Sequence, residues 1–188
     1  MKKNIVKSKV RSAVLVSPCI LSPGFQAERK AEKHWGYAFI ELLMKYEVDI
    51  IPMPCPESAF GGFSSGLQRG KHGIDYYLSL DGYQEHCMRL AQQSAARYAD
   101  LSFGGYQFIC MLGVEHSPSC AVNYLYSQHG TLKRLGIFFE LLQEKLDSRN
   151  LSIPQVGINR KYPRKALELL EQKLSALKEI EAGKDDIL

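Results

Sequence analysis

The chain has 188 residues and a formal net charge of +4, from 24 Lys and Arg against 20 Asp and Glu. Its 45% apolar and 23% charged residues are ordinary globular values, which excludes disorder, collagen and coiled coil as descriptions of the whole chain. The length suits one compact α/β domain over 1–188. No apolar run approaches the roughly 18 residues of a membrane helix, and so small a charge excess does not point to nucleic acid.

Basic Lys2, Lys3, Lys7, Lys9 and Arg11 precede residues 13–16, a short unbroken run of apolar residues. Such a run predicts a parallel strand buried on both faces. It is shorter than the roughly 7–15 apolar residues of a signal-peptide core, so the basic residues are expected to be a solvated lead-in and the chain to be cytoplasmic. A helix is predicted over 27–46: Trp35, Phe39, Leu42, Leu43 and Tyr46 recur at steps of three and four, with Arg29, Lys30, Glu32 and Lys33 turned to solvent. Residues 48–52 predict a second strand. The prolines on either side of Cys55 in Met53-Pro54-Cys55-Pro56-Glu57 predict extended backbone and no helix.

Residues 58–82 are rich in glycine, serine and tyrosine and show no period, which predicts a long active-site loop. A helix follows over 82–100, with Met88, Leu90, Ala91, Ala95 and Tyr98 inward, and then a third strand over 108–114. Leu132, Leu135, Phe138, Phe139, Leu142 and Leu146 predict an amphipathic helix over 131–146. A fourth strand is predicted over 153–158. The last helix opens at Pro163, where a missing amide is harmless. Its stripe of Leu167, Leu170, Leu174, Leu177 and Ile180 suits either the sheet or a second copy in a homodimer. The charged tail, 183–188, is expected to fray. Strands alternating with helices predict a single α/β domain, Rossmann-like, with a mostly parallel four- or five-stranded sheet and helices on both faces.

The cysteines carry the functional signal. Five is an odd number in a chain too large for a disulfide scaffold, so reduced thiols are expected. Cys110 lies inside the third strand and Cys87 in a helix, where each is expected to pack. Cys19, Cys55 and Cys120 instead follow strands one, two and three, on the rim where open parallel sheets bind ligands. A closed structural zinc site wants four ligands, and no Cys-x-x-Cys pair is present. Catalytic zinc could take three ligands and water, with His116 as a nitrogen donor, although a place in a turn is the plainer reading of that histidine. All-thiolate ligation favours an iron–sulfur cluster, and three thiolates on four irons leave one iron open. Glu57, two residues after Cys55, is placed to move protons, or to cap a helix. Ser117 could donate to substrate or cluster, or fill a turn. Arg69 and Lys71 suit either an anionic group or solvent.

Three segments carry a family resemblance: Val16-Ser17-Pro18-Cys19-Ile20-Leu21, Pro54-Cys55-Pro56-Glu57, and Gly113-Val114-Glu115-His116-Ser117-Pro118-Ser119-Cys120-Ala121-Val122-Asn123. Together they resemble the signature segments of the thiouracil desulfidase family, nearest a branch of desulfidases related to the enzyme that names it, over about residues 13 to 160. The resemblance implies an oxygen-sensitive 4Fe–4S cluster held by Cys19, Cys55 and Cys120. It implies that the open iron takes the sulfur of a small thiocarbonyl substrate, and that Glu57 and Ser117 are catalytic. Water would attack the carbon, Glu57 would move protons, and sulfur would stay transiently on the iron with no net redox change. Ala121 stands where the family motif continues with glycine, which predicts a different local turn. Phe60, Phe63, Tyr76 and Tyr77 are expected to shape the pocket, at least two of them by packing in the core. A sensing or binding module that holds a cluster or zinc without turnover fits the same residues, as does a metal-free transferase that forms persulfides.

Overall fold

The computed structural model describes residues 10–25, 35–69 and 72–185. The lead-in lysines, the solvent-facing charges expected over 29–33, and Lys71 lie outside these residues, as does the side chain of Arg69. Four parallel strands form the sheet: β1 (Arg11–Val16), β2 (Asp49–Pro52), β3 (Tyr106–Val114) and, last in the chain, β6 (Gln155–Ile158). Their spatial order is β2-β1-β3-β6. The chain therefore builds outward from β1 on one side, then crosses back and builds outward on the other. The cleft between the carboxyl ends of β1 and β3 is the switch point, where a ligand meets no crossing connection.

Alternation along the strands feeds two cores. Ala13, Leu15 and Met111 face one side, where α5 (Tyr83–Phe103) and α6 (Ile137–Asp147) pack through Cys87, Ala91, Tyr98, Phe138, Phe139 and Leu142. Val14, Val16, Cys110 and Leu112 face the other, against α2 (Tyr37–Lys45) and α7 (Arg164–Asp185). Burial on both faces is why these strands read as unbroken apolar runs. The leucine stripe of the last helix is used by the sheet: Leu170 and Leu174 are fully buried beside Val156 and Ile158. Among the described residues no helix is long and apolar enough to cross a membrane.

Four expectations change. The helix expected over 131–146 begins only at Ile137. Thr131 and Leu132 belong instead to a two-stranded hairpin, β4 (Tyr124–Ser127) with β5 (Gly130–Lys133). Leu132 is in phase with the helix by coincidence, and Gly136, an extended N-cap, separates the two. The expected loop over 58–82 is mostly helical: α3 (Pro56–Gly61), two 3-10 turns (Phe63–Ser65 and Leu67–Arg69) and α4 (Ile74–Ser79). These pieces are too short to show a period, and burial of Ile74 and Tyr77 sets them. The proline-flanked Cys55 is extended, as expected, but it is the N-cap of α3 with Pro56 in the first turn. Finally, the helix expected over 27–46 begins, among the described residues, only at Tyr37, after a turn at Trp35 and Gly36.

Candidate active site

Each strand of the β2-β1-β3 trio ends in a turn that delivers one thiol. After β1, Ser17 is extended and Pro18 opens the short helix α1 (Pro18–Leu21), which puts Cys19 in its first turn. Ser17 Oγ donates to the Leu112 carbonyl at 2.9 Å and ties this turn to β3. After β2, Cys55 caps α3, and Glu57 follows in the first turn. After β3, the chain folds back over Glu115 to Cys120. The Glu115 carboxylate accepts from the amides of Asn123 and Tyr124 and from Asn123 Nδ2 at 3.1, 2.9 and 2.7 Å. Ser117 Oγ accepts from the amides of Ser119 and Cys120, both at 3.2 Å.

His116 takes the left-handed conformation in this turn, at φ 68°, and stacks on Tyr126 with ring centroids 4.2 Å apart. Ala121 does not adopt it, so alanine at this position is unstrained. Close approach is bought at other positions. A Cβ at Gly113 would overlap the Cys120 carbonyl, and one at Gly136 would overlap the Ser119 backbone. Gly136→Ala is therefore expected to push the Ser119–Cys120 segment off α6, at a cost of about 1–3 kcal/mol by overpacking. Thermal unfolding measures that cost.

Cys19, Cys55, Cys120, Glu57 and Ser117 all line one cavity of about 330 Å³. Phe25, Gln68, His72, His116, Tyr126, Phe138, Arg160 and Lys161 line it too. The aromatic expectation is thus corrected where it puts these rings on the pocket wall, and it holds where it packs at least two of them in the core. Phe60, Phe63, Tyr76 and Tyr77 are absent from the wall: Phe60 packs on Tyr83, Phe63 on Phe25, and Tyr77 is buried with its hydroxyl donating to the Leu67 carbonyl at 2.9 Å. Among the described residues the cations on the cavity wall are Arg160 and Lys161 of the turn after β6, which the sequence reading did not single out. Cys110 is fully buried inside β3, as expected, and Cys87 is fully buried on α5.

The three thiols feel one another. The Cys19 thiol is hydrogen-bonded to Cys120, which favours the Cys120 thiolate and pushes Cys19 well up. Burial, with the Glu57 charge beside it, pushes the Cys55 thiol up to about 12. Burial first, and then the Cys120 charge, raises Glu57 to about 7; the Ser119 and Ser117 hydroxyls and Arg160 oppose that rise. Ser119 Oγ donates to Glu57 Oε1 at 2.8 Å and Ser117 Oγ at 3.4 Å. A buried carboxyl titrating near neutrality, facing a cavity, is suited to acid–base work.

Among the described residues no three carboxylate, imidazole or thiol groups are arranged to share a single metal ion. The donor set is nevertheless chemically selective: three soft thiols from three separate turns, converging on one cavity. That set fits an iron–sulfur cluster, whose corners take ligands from different sides.

Among known proteins, the chain is similar to an uncharacterized protein of Methanocaldococcus jannaschii, 26% identical over 125 residues that cover 66% of this chain and 68% of the relative. No family model matches the chain. No solved structure matches it significantly.

Proposed function

We propose that the chain is an iron–sulfur-cluster-dependent desulfidase, which replaces the sulfur of a small thiocarbonyl compound, such as a thiouracil, with oxygen from water. The observation that carries this reading is the convergence of Cys19, Cys55, Cys120 and Glu57 on one cavity at the sheet's switch point. A mere binding module needs no buried carboxyl of raised pKa beside its thiols. Cys19, Cys55 and Cys120 would hold a 4Fe–4S cluster, whose open iron supplies Lewis acidity toward the substrate sulfur.

The remaining work falls to the protein. The cavity wall of Phe25, Phe138 and the stacked His116 and Tyr126 receives a flat ring. Glu57, ionised, takes a proton from the attacking water and, protonated, gives it back as the carbon–sulfur bond breaks. Ser117 orients the Glu57 carboxyl and holds the amides that shape the Cys120 turn. The sum is a thiocarbonyl plus water giving a carbonyl plus hydrogen sulfide, without redox change. None of the five cysteines is in a disulfide, which supports a reducing, cytoplasmic setting.

Anaerobic reconstitution with iron and sulfide, followed by incubation with 2-thiouracil, tests the proposal. The expected result is about four irons per chain, with equimolar release of sulfide and uracil. Iron uptake without turnover would make the chain a binding module. The hydrogen bond between Cys19 and Cys120, which favours the Cys120 thiolate, is one specific point in favour of a metal-free transferase. Persulfide on Cys120 of iron-free protein after exposure to a sulfane-sulfur donor would select that function instead.

A further inference from the structure

Glu57 does not hold its position alone. Ser119, 1% exposed, donates its hydroxyl proton to Glu57 Oε1 at 2.8 Å. A serine has one such proton. The 2.8 Å contact between Ser119 Oγ and Tyr83 Oη must then be donated by the tyrosine. Tyr83, fully buried, is also hydrogen-bonded to the Cys87 thiol. With Glu57 ionised and the tyrosine proton spent on Ser119, only the thiol has a proton left for that contact. With Glu57 ionised, one arrangement satisfies every group, Cys87 to Tyr83 to Ser119 to Glu57, and with Glu57 protonated the same chain runs in reverse.

We propose that Ser119 and Tyr83 are positioning residues that aim the Glu57 carboxyl into the cavity, with the Cys87 thiol closing the inner end of their chain. This rests on the acid–base role given to Glu57 above. A glutamate in the first turn of a six-residue helix has three side-chain torsions to fix, and no salt bridge among the described residues fixes them. The hydroxyl chain does so from two firmer elements. Tyr83 begins the 21-residue α5 and is wedged against Phe60 and Tyr77, at ring-centroid distances of 5.2 and 5.3 Å. Ser119 sits in the turn that Gly136 allows to lie flat on α6. Both serine hydroxyls converge on Oε1. The serines thus leave Oε2 to substrate and water. The chain ends on Cys87, which is fully buried, and so it reaches no solvent. It therefore holds the carboxyl without draining its proton, and exchange is left to the cavity side.

Ser119→Ala, Tyr83→Phe and the double variant test this in iron-loaded protein with 2-thiouracil as substrate. Each single change is expected to lower kcat about tenfold or more, in the range of a misplaced acid–base group. KM and iron content should stay within twofold. The double variant should be no worse than Ser119→Ala alone, because a chain broken once is already broken. Infrared difference spectra without substrate give a second readout. Ser119→Ala should move the Glu57 carboxyl band, identified by its loss in Glu57→Gln, and Tyr83→Phe should move it less. Loss of iron in step with kcat, additive losses, or an unmoved band would overturn the proposal. A band that moves in a parent protein that releases no sulfide would leave the chain standing and remove the desulfidase function.

Discussion

Alanine at Cys19, Cys55 or Cys120 is expected to take anaerobically reconstituted protein from about four irons per chain to near none, and to abolish sulfide release with it. Each thiol arrives on its own turn, after β1, β2 and β3, and no other cysteine borders the cavity. No other thiol is there to replace a lost one, and two thiolates bind a cluster far more weakly than three. Cys110→Ala is expected to keep its iron, since that thiol is sealed inside β3 on the face packed by α2 and α7. Cys87→Ala is the sharper control. Cys87 is fully buried and its partner is Tyr83. It should keep the iron and lose some turnover through the hydroxyl chain. Counting iron and acid-labile sulfide across the five variants decides the ligand set. A Cys87→Ala protein without iron would show that the wrong three thiols are assigned.

The route from residues to this site shows which features of the chain are visible before folding. The strands were legible because burial on both faces demands unbroken apolar runs, as in Val14, Leu15 and Val16. Their parallel order then put Cys19, Cys55 and Cys120 on one rim. The hairpin after Cys120 was not legible: all four residues of β5 are exposed, so no pattern marks them, and Leu132 fell in step with a helix it does not join. The short helices between Glu57 and Tyr83 were invisible because each has fewer than two turns, and tertiary burial of Phe60, Ile74 and Tyr77 sets them. That burial is also why the expected aromatic pocket lining is elsewhere. Tyr83 and Ser119 were missed for a different reason. A tyrosine opening a helix reads as core, and a serine beside proline reads as a turn. The available signal was that a core tyrosine must find a partner for its hydroxyl, and Ser119 is that partner.

Glu57→Gln is expected to retain the cluster and lose turnover by about 10²–10⁴-fold, the usual contribution of a positioned acid–base group. Stability should move the other way. Burial raises Glu57 to about 7 from the 4.5 of a free carboxyl. Between those values the folded chain keeps a proton that the unfolded chain has released. Folding stability from this group is therefore full below the lower value and is lost as pH rises through the higher one. The loss is on the order of 3 kcal/mol when complete. Glutamine keeps the acceptor that Ser119 uses and carries no charge to bury. Thermal unfolding of iron-free protein should find the variant more stable than its parent at pH 8 and nearly equal to it at pH 4. A carboxylate kept for its structural bonds would show the reverse, with glutamine less stable at pH 8 and turnover largely intact. A residue whose removal strengthens the fold and stops the chemistry is held for the chemistry, and that pair of opposite signs is what the Glu57 assignment requires.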